Sequence, residues 1–252
     1  MTTVTAAQQW KRRARPLLGT LVEVGIRSDS DDWHLNFEAA FAAVQEVQRC
    51  LSRFDPDSDL SRFHALRSGQ VMTMRPATKA VLAAAATLQV VSNGLFDISL
   101  GTAPFGWRCE DDVLLKLDMS TRLDAGGIAK GYAVDVAVQE LMRRGCTAGW
   151  INAGGDLRVF GDIDLPVHVR DESTGGVRRF ADLRDGAFAT SHFDASSRSR
   201  LVRGQPSPLL QIHVSVAAPQ CMWADALTKV VAIHGDIDDP ILSRFQARAW
   251  QH

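Results

Sequence analysis

Apolar residues recur at helical spacing along much of the chain. Phe37, Ala40, Phe41, Val44, Val47 and Leu51 fall three and four apart, which puts them on one face of an amphipathic helix. That helix is expected to stop before the turn Asp55-Pro56-Asp57-Ser58, where Asp57 or Ser58 caps a short helix carrying Leu60 and Phe63. Pro76 suits a first helical turn and Gly94 a stop, so the alanine-rich run Ala77–Ser92 reads as a second long helix. Val134, Ala137, Val138 and Leu141 share a face of a third, Ala129–Arg144, ended by Gly145. Met222–His234, with Gly235 beyond it, is another.

Alternating positions mark the strands. Leu17–Ile26 alternates loosely around Gly19, and Trp150-Ile151-Asn152 ends a strand that turns through Ala153-Gly154-Gly155-Asp156 into Leu157–Phe160. Between Asp162 and Leu210 lie short candidates at Val167–Arg170 and Ala187–Thr190, with a turn at Asp171–Gly176. Ile212, Val214 and Val216 alternate cleanly, whereas Thr102–Asp112, with Pro104, Gly106 and Trp107, reads as irregular. No fixed-period repeat and no long linker interrupts this order. The expected fold is α+β: a single domain over residues 15–252, with a mixed, largely antiparallel sheet and packed helices, preceded by a mobile N-terminus over residues 1–14.

Composition narrows the function classes. The 252 residues are 46% hydrophobic and 23% charged, which is globular rather than disordered. A net charge of -1 gives no support to a nucleic-acid partner or an anionic membrane surface. The local basic run Lys11, Arg12, Arg13, Arg15 reads as part of the solvated N-terminus. No stretch is apolar enough to insert in a bilayer, and Met1–Trp10 lacks the apolar core of a secretory signal. Cys50, Cys109, Cys146 and Cys221 are scattered without a CxxC pair, which points to a reduced, cytoplasmic protein. The histidines show neither HxxxH nor HxH spacing, so none reads as a metal ligand.

Four short runs carry candidate chemistry. In Leu123–Asp135, two glycines precede a helix, with Lys130 as a cation and Asp124 as an acceptor. Glycine backbone and a helix N-terminus can cradle a phosphate, but a tight turn feeding a helix needs the same residues. The run is neither a Walker A loop nor GxGxxG. Asn152–Asp156 reads first as a hairpin turn. Asp225, near the start of the last long helix, either complements the helix dipole or binds a hard cation such as Mg²⁺. Phe96 reads as core, and Asp97 as a cap or a polar anchor in a pocket.

In order and spacing these runs resemble the FAD:protein FMN transferases, the ApbE family. Arg15–Thr20 resembles its early Met-Gly-Thr segment, and Phe54–Phe63 its serine-rich segment before a short helix. Phe96–Gly101 is similar to Phe-Asp-Pro-Thr-Val-Gly, and Asp124–Asp135 to Asp-Leu-Gly-Gly-Ile-Ala-Lys-Gly-Tyr-Ala-Val-Asp. Asn152–Asp156, Ala189–Ser191 and Ala224–Leu227 match Asn-Ala-Gly-Gly-Asp, Ala-Thr-Ser and Ala-Asp-Ala-Leu. The resemblance runs from Arg15 to Gly235. It implies an enzyme that uses FAD and Mg²⁺, passes FMN to a threonine of a partner flavoprotein and releases AMP. By position it implies flavin contacts at Leu18, Phe54 and the Leu95-Phe96-Asp97 turn, and polar cofactor contacts at Asp124 and Lys130. The metal would sit on the Gly127 carbonyl and the Asp225 carboxylate. No Asp-Gly-x-Thr acceptor motif occurs in this chain, so self-modification is not implied.

The chain departs from the family pattern at several places. Where the family has His-Ile-Ile-Asp-Pro-x-Thr-Gly, this chain reads Ser199–Pro206 without the histidine or the aspartate, and His192 is a candidate replacement. Lys229 stands at the usual metal-binding threonine, and Thr228 falls one residue short, a rotation of about 100° on a helix. An ammonium there is expected to pair with Asp225 and weaken or replace Mg²⁺. Leu18 and Phe54 replace a methionine and a tyrosine, and the chain is shorter between Trp107 and Asp124. The alternatives to a transferase are a non-catalytic flavin- or nucleotide-binding relative and an FAD pyrophosphate hydrolase.

Overall fold

The described residues of this computed structural model are 9–28, 32–171, 174–193, 201–202, 205–206 and 212–251. The chain opens with a hairpin, β1 (Gln9–Leu17) and β2 (Thr20–Ser28), followed by α1 (Trp33–Leu51) and the short α2 (Asp59–Ala65). Next come β3 (Val71–Thr73), α3 (Pro76–Val91), β4 (Trp107–Glu110), β5 (Val113–Lys116) and α4 (Ala129–Arg143). A run of strands follows: β6 (Gly149–Ala153), β7 (Asp156–Phe160), β8 (Leu165–Asp171), β9 (Gly176–Leu183), β10 (Gly186–Phe193), β11 (Leu201–Val202), β12 (Gln205–Pro206) and β13 (Ile212–Ala218). The chain closes with α5 (Cys221–His234), α6 (Ile241–Arg244) and β14 (Arg248–Gln251).

The main sheet has seven strands in the order β1-β2-β6-β7-β10-β13-β14, and every neighbouring pair is antiparallel. This is the expected α+β architecture. One face, with Val22, Val24, Ile26, Ile151, Ala189 and Val216, joins the main core under the helices. The opposite face, with Leu157, Val159 and Phe188, joins a smaller cluster with Val167 and Val169 of the β8–β9 ribbon. Strands β6, β7, β10, β13 and β14 thereby feed two layers by simple alternation.

The helices follow the apolar pattern closely. Ser58, not Asp57, caps α2 by accepting from the Ser61 N–H at 3.0 Å. Gly235 ends α5 in the left-handed region, at φ +77. Residues 9–14, expected to be mobile, form the outer part of edge strand β1 instead. The basic run survives there because its charges are placed: Arg12 pairs with Glu23 at 3.0 Å, and Arg15 donates to Glu38 with its guanidinium 4.7 Å from the centre of the Phe41 ring. The strand expected at Leu17–Ile26 is broken by the Leu18-Gly19 turn, and Thr102–Asp112 is not wholly irregular, since β4 and β5 pair across Asp111-Asp112.

Two close approaches hold α4 and α5 in place. A Cβ on Gly131 would lie 2.3 Å from the Cys221 carbonyl oxygen, so only glycine lets the helices come this near. The Asp135 carboxylate then accepts from the N–H groups of Cys221 and Met222, each at 2.9 Å, and from Arg158 at 2.6 Å. A side chain of one helix thereby caps the N-terminus of the next, which carries no cap of its own.

Candidate functional site

Tight turns and helix starts bring the candidate residues together. Leu18 and Gly19 sit at φ +56 and +72 between the paired Leu17 and Thr20, a two-residue hairpin turn that needs both positive values. The Leu18 N–H donates to Gln48 of α1 at 2.7 Å, which anchors the turn against that helix. The β6–β7 turn at Gly154-Gly155 has the same form, and a Cβ on Gly154 would lie 2.4 Å from the Thr20 hydroxyl. The two hairpins are thus nested, with Asp156 immediately after the second. Before α4, the Asp124 N–H donates to the Ile98 carbonyl at 2.7 Å, and the Asp124 carboxylate accepts from the Gly126 N–H at 2.8 Å.

Beneath this loop lies a buried charge cluster. Lys130, on the first turn of α4, donates to Asp156 in a very short contact. Lys229 donates to the Asp225 carboxylate, also in a very short contact, to the Asp225 carbonyl at 2.9 Å and to the Ser191 hydroxyl at 3.2 Å. The other carboxylate oxygen of Asp225 accepts from the Gly131 N–H at 3.2 Å. Asp225 is only 1% exposed. The Thr228 hydroxyl instead donates to the Asp225 carbonyl at 2.7 Å and meets the Ser191 hydroxyl at 2.8 Å.

The acids divide the protons unequally. Burial, and then the Asp225 charge, push Asp156 up from an ordinary 3.8 to about 7, against the pull of Lys130 and Lys229. Burial works the same way on Asp225, but Lys229 and then Lys130 outweigh it and hold Asp225 below its ordinary value. For Lys130, burial opposes the charge, yet Asp225 and Asp156 keep its pKa above the ordinary lysine value. Asp225 is thus the more acidic of the two carboxyls and Asp156 the less acidic.

Two cavities open above the cluster. The larger, ≈ 460 Å³, is lined by Leu95, Phe96, Asp97, Asp124, Gly127 and Lys229, with Ser191 and His192 opposite. The smaller, ≈ 290 Å³, is lined by Leu18, Phe54, Asp124 and Lys130. They share Arg53, Asp124 and Gly126, so the loop before α4 is their common wall. All the sequence-derived candidates thus gather in one place, except that Asp225 lies under the floor, reached through Lys229. Phe96 is largely core. Asp97 is engaged in shaping its own turn, accepting from the Ser99 N–H and hydroxyl at 2.8 Å and from the Gly101 N–H at 3.0 Å. Phe54 is 81% exposed at the mouth, with the Arg53 guanidinium 4.4 Å from its ring centre.

Arg53 and the pairing role of Asp156 were not foreseen. Arg53 reaches Asp124 at 3.6 Å, and no motif marks it. Asp156 was visible only as the end of a glycine turn. His192, the candidate replacement histidine, lines the larger cavity and lies against His213, with ring centres 4.4 Å apart. The divergent segment Ser199–Pro206 lies outside the described residues, apart from the backbone of β11 and β12.

The family model described as ApbE family matches residues 18–114 and 107–244. An FAD:protein FMN transferase from Chlamydia pneumoniae is 23% identical over 82% of this chain and 78% of its own length. One from Vibrio cholerae is 24% identical over 77% and 71%. Among solved structures, the flavin transferase ApbE from Vibrio cholerae superposes with a TM-score of 0.85 at 19% identity, covering 97% of this chain and 94% of that one. The Pseudomonas stutzeri flavinyl transferase ApbE gives 0.77 at 19% identity, covering 90% and 85%. At such identity the structures speak for the fold.

Proposed function

This chain belongs to the ApbE family, and from that premise we propose that it is an FAD:protein FMN transferase. The observation that carries the reading is the junction of the two cavities at Asp124-Ala125-Gly126, with Lys130 on one side and Lys229 on the other. A dinucleotide has the matching form: two bulky ends joined by an anionic diphosphate. Phosphoryl transfer is driven mainly by positioning and charge neutralisation, which two fixed ammonium groups and a helix N-terminus supply.

In the proposed reaction the hydroxyl oxygen of an acceptor threonine on a partner flavoprotein attacks the FMN phosphorus of FAD. A P–O bond forms there, and the bond from that phosphorus to the bridging oxygen breaks. AMP leaves with the bridging oxygen and its electron pair. The hydroxyl proton passes to the His192 imidazole, which lines the same cavity. Leu18 and Phe54 would flank the flavin, and Leu95, Phe96 and Asp97 would line the other wall.

Magnesium does not fit beside Asp225 as the side chains stand. That carboxylate already holds the Lys229 ammonium, and the lysine stem passes beside Gly127, with Cε 3.3 Å from where a Cβ on that residue would lie. The occupied carboxylate also favours a second reading, a flavin or nucleotide binder without transfer. We place the protein in the cytoplasm on its four free, scattered cysteines. No helix among the described residues is long and apolar enough to cross a membrane.

The test is to incubate purified protein with FAD and a threonine-bearing apo-flavoprotein domain. AMP is then followed by chromatography, and covalent flavin by in-gel fluorescence. AMP release with labelled acceptor is expected. FAD binding without AMP would select the binder, and no FAD binding at all would refute both readings.

A further inference from the structure

We infer that the Lys229 ammonium is a built-in cation occupying the place of a divalent metal beside Asp225, so that FAD is bound and cleaved here without one. The inference rests on the transferase reading above and deepens it.

Helical geometry makes the arrangement local. Residues four apart on α5 lie on one face, so Lys229 reaches back to the Asp225 carboxylate without distortion. An ammonium has three protons to donate, and the carboxylate, the Asp225 carbonyl and the Ser191 hydroxyl are its three acceptors. The group is held in one position, yet it is not sealed off, since 13% of the side chain is exposed and it lines the larger cavity. The Ser191 bond is the longest, at 3.2 Å, and is the one to be exchanged for a phosphate oxygen.

Charge and space argue the same way. Two lysines face two aspartates in the cluster, so a divalent ion would add two uncompensated positive charges in a buried place. Mg²⁺ also demands an octahedral shell of oxygens at short range, most of them waters. The Lys229 ammonium already sits on the Asp225 carboxylate where such a shell would begin, and its stem runs beside Gly127. Thr228 offers no substitute ligand, because its hydroxyl is committed to the Asp225 carbonyl and Ser191.

The experiment compares the full-length wild type with Lys229→Thr and Lys229→Met. Mn²⁺ uptake by the apo-protein is read by electron paramagnetic resonance, and FAD affinity by fluorescence in EDTA and in Mg²⁺. The wild type is expected to take up no Mn²⁺ and to bind FAD within about twofold in the two buffers. Lys229→Thr should take up Mn²⁺, and its FAD affinity should fall about tenfold in EDTA, the worth of one charge-assisted hydrogen bond, and recover in Mg²⁺. Lys229→Met should show the fall without the recovery. If it fails to fold, wild type against Lys229→Thr decides alone. Mn²⁺ uptake by the wild type, a Mg²⁺ requirement for its FAD binding, or a Lys229→Thr protein that gains no Mn²⁺ would each overturn the inference. If none of the proteins binds FAD, the transferase reading falls, while the Mn²⁺ comparison still decides whether Lys229 occupies a cation position.

Discussion

Replacing Gly131 with alanine tests the helix crossing on which the site hangs. The new Cβ would lie 2.3 Å from the Cys221 carbonyl oxygen, 2.7 Å from its carbon and 2.8 Å from the Met222 Cα. These are backbone atoms and cannot rotate away, so α4 and α5 must separate by about 1 Å to reach ordinary contact. Overpacking of this kind costs about 3 kcal/mol, the upper part of its range, because no side chain absorbs it. Alanine returns about 1 kcal/mol through its better helix propensity. The separation also stretches the Asp135 bonds to the Cys221 and Met222 N–H groups, a helix cap worth about 1 kcal/mol. The net loss is about 3 kcal/mol, or a Tm lower by about 6–12 °C for a chain of this size. Urea titration and calorimetry give both quantities. Gly235→Ala is the control: its φ is +77 but nothing lies within 4 Å, so backbone strain alone should cost about 1–2 kcal/mol. A Gly131→Ala protein within about 0.5 kcal/mol of wild type would mean that the crossing yields freely, and the packing argument would be wrong.

Other outcomes follow from the cluster and the cavities. Asp156 has a folded pKa raised to about 7 from 3.8, so between those values the native state holds a proton that the unfolded chain has released. Stability from this group is therefore present at low pH and lost as pH rises through about 7; melting curves from acid to neutral pH should fall less steeply for Asp156→Asn, and an unchanged slope would count against the shift. Phe54→Ala, at an exposed position, should leave Tm nearly unchanged yet weaken FAD binding about tenfold by fluorescence titration, and an equal affinity would remove Phe54 from the flavin's surroundings. His192→Ala should slow FMN transfer about a hundredfold while FAD affinity stays the same. Turnover at the wild-type rate would exclude His192 as the proton acceptor.

The helices were legible because each buries one face, and burial writes a 3.6-residue period into the sequence. Val44 and Val47 of α1, or Val134 and Val138 of α4, are apolar because the main core lies on that side. The strands that escaped have no such imprint. In β1, Arg12, Arg13 and Arg15 are satisfied by glutamates and by the faces of aromatic rings, so the strand carries charge in place of an apolar alternation. The β4–β5 hairpin is short and turns through Asp111 at φ +49, a position with no glycine to announce it.

The site divides along the same line, between local and distant geometry. The Lys229–Asp225 pair could be foreseen because four residues on a helix fix the approach of the two side chains. The Lys130–Asp156 pair joins residues 26 apart, and the Gly131 N–H meets Asp225 across 94 residues. Those contacts exist only once the β6–β7 hairpin nests against the Leu18-Gly19 turn and α5 docks on α4. Read alone, Asp156 closes a turn and Asp225 complements a helix dipole. Assembled, the first becomes the less acidic of two buried carboxyls facing two lysines and the second the more acidic. The division comes from how far burial and neighbouring charge act on each acid, since the Asp225 charge adds to burial in raising Asp156. The two lysines reach Asp225 strongly enough to overcome its burial, whereas Asp156 stays raised against the same two charges. A single exchange at residue 229 therefore alters more than one hydrogen bond. Removing the ammonium takes a cation from both acids, so Lys229→Thr should raise the pKa of Asp156 further unless a metal enters, and the melting profile against pH in EDTA should move with it.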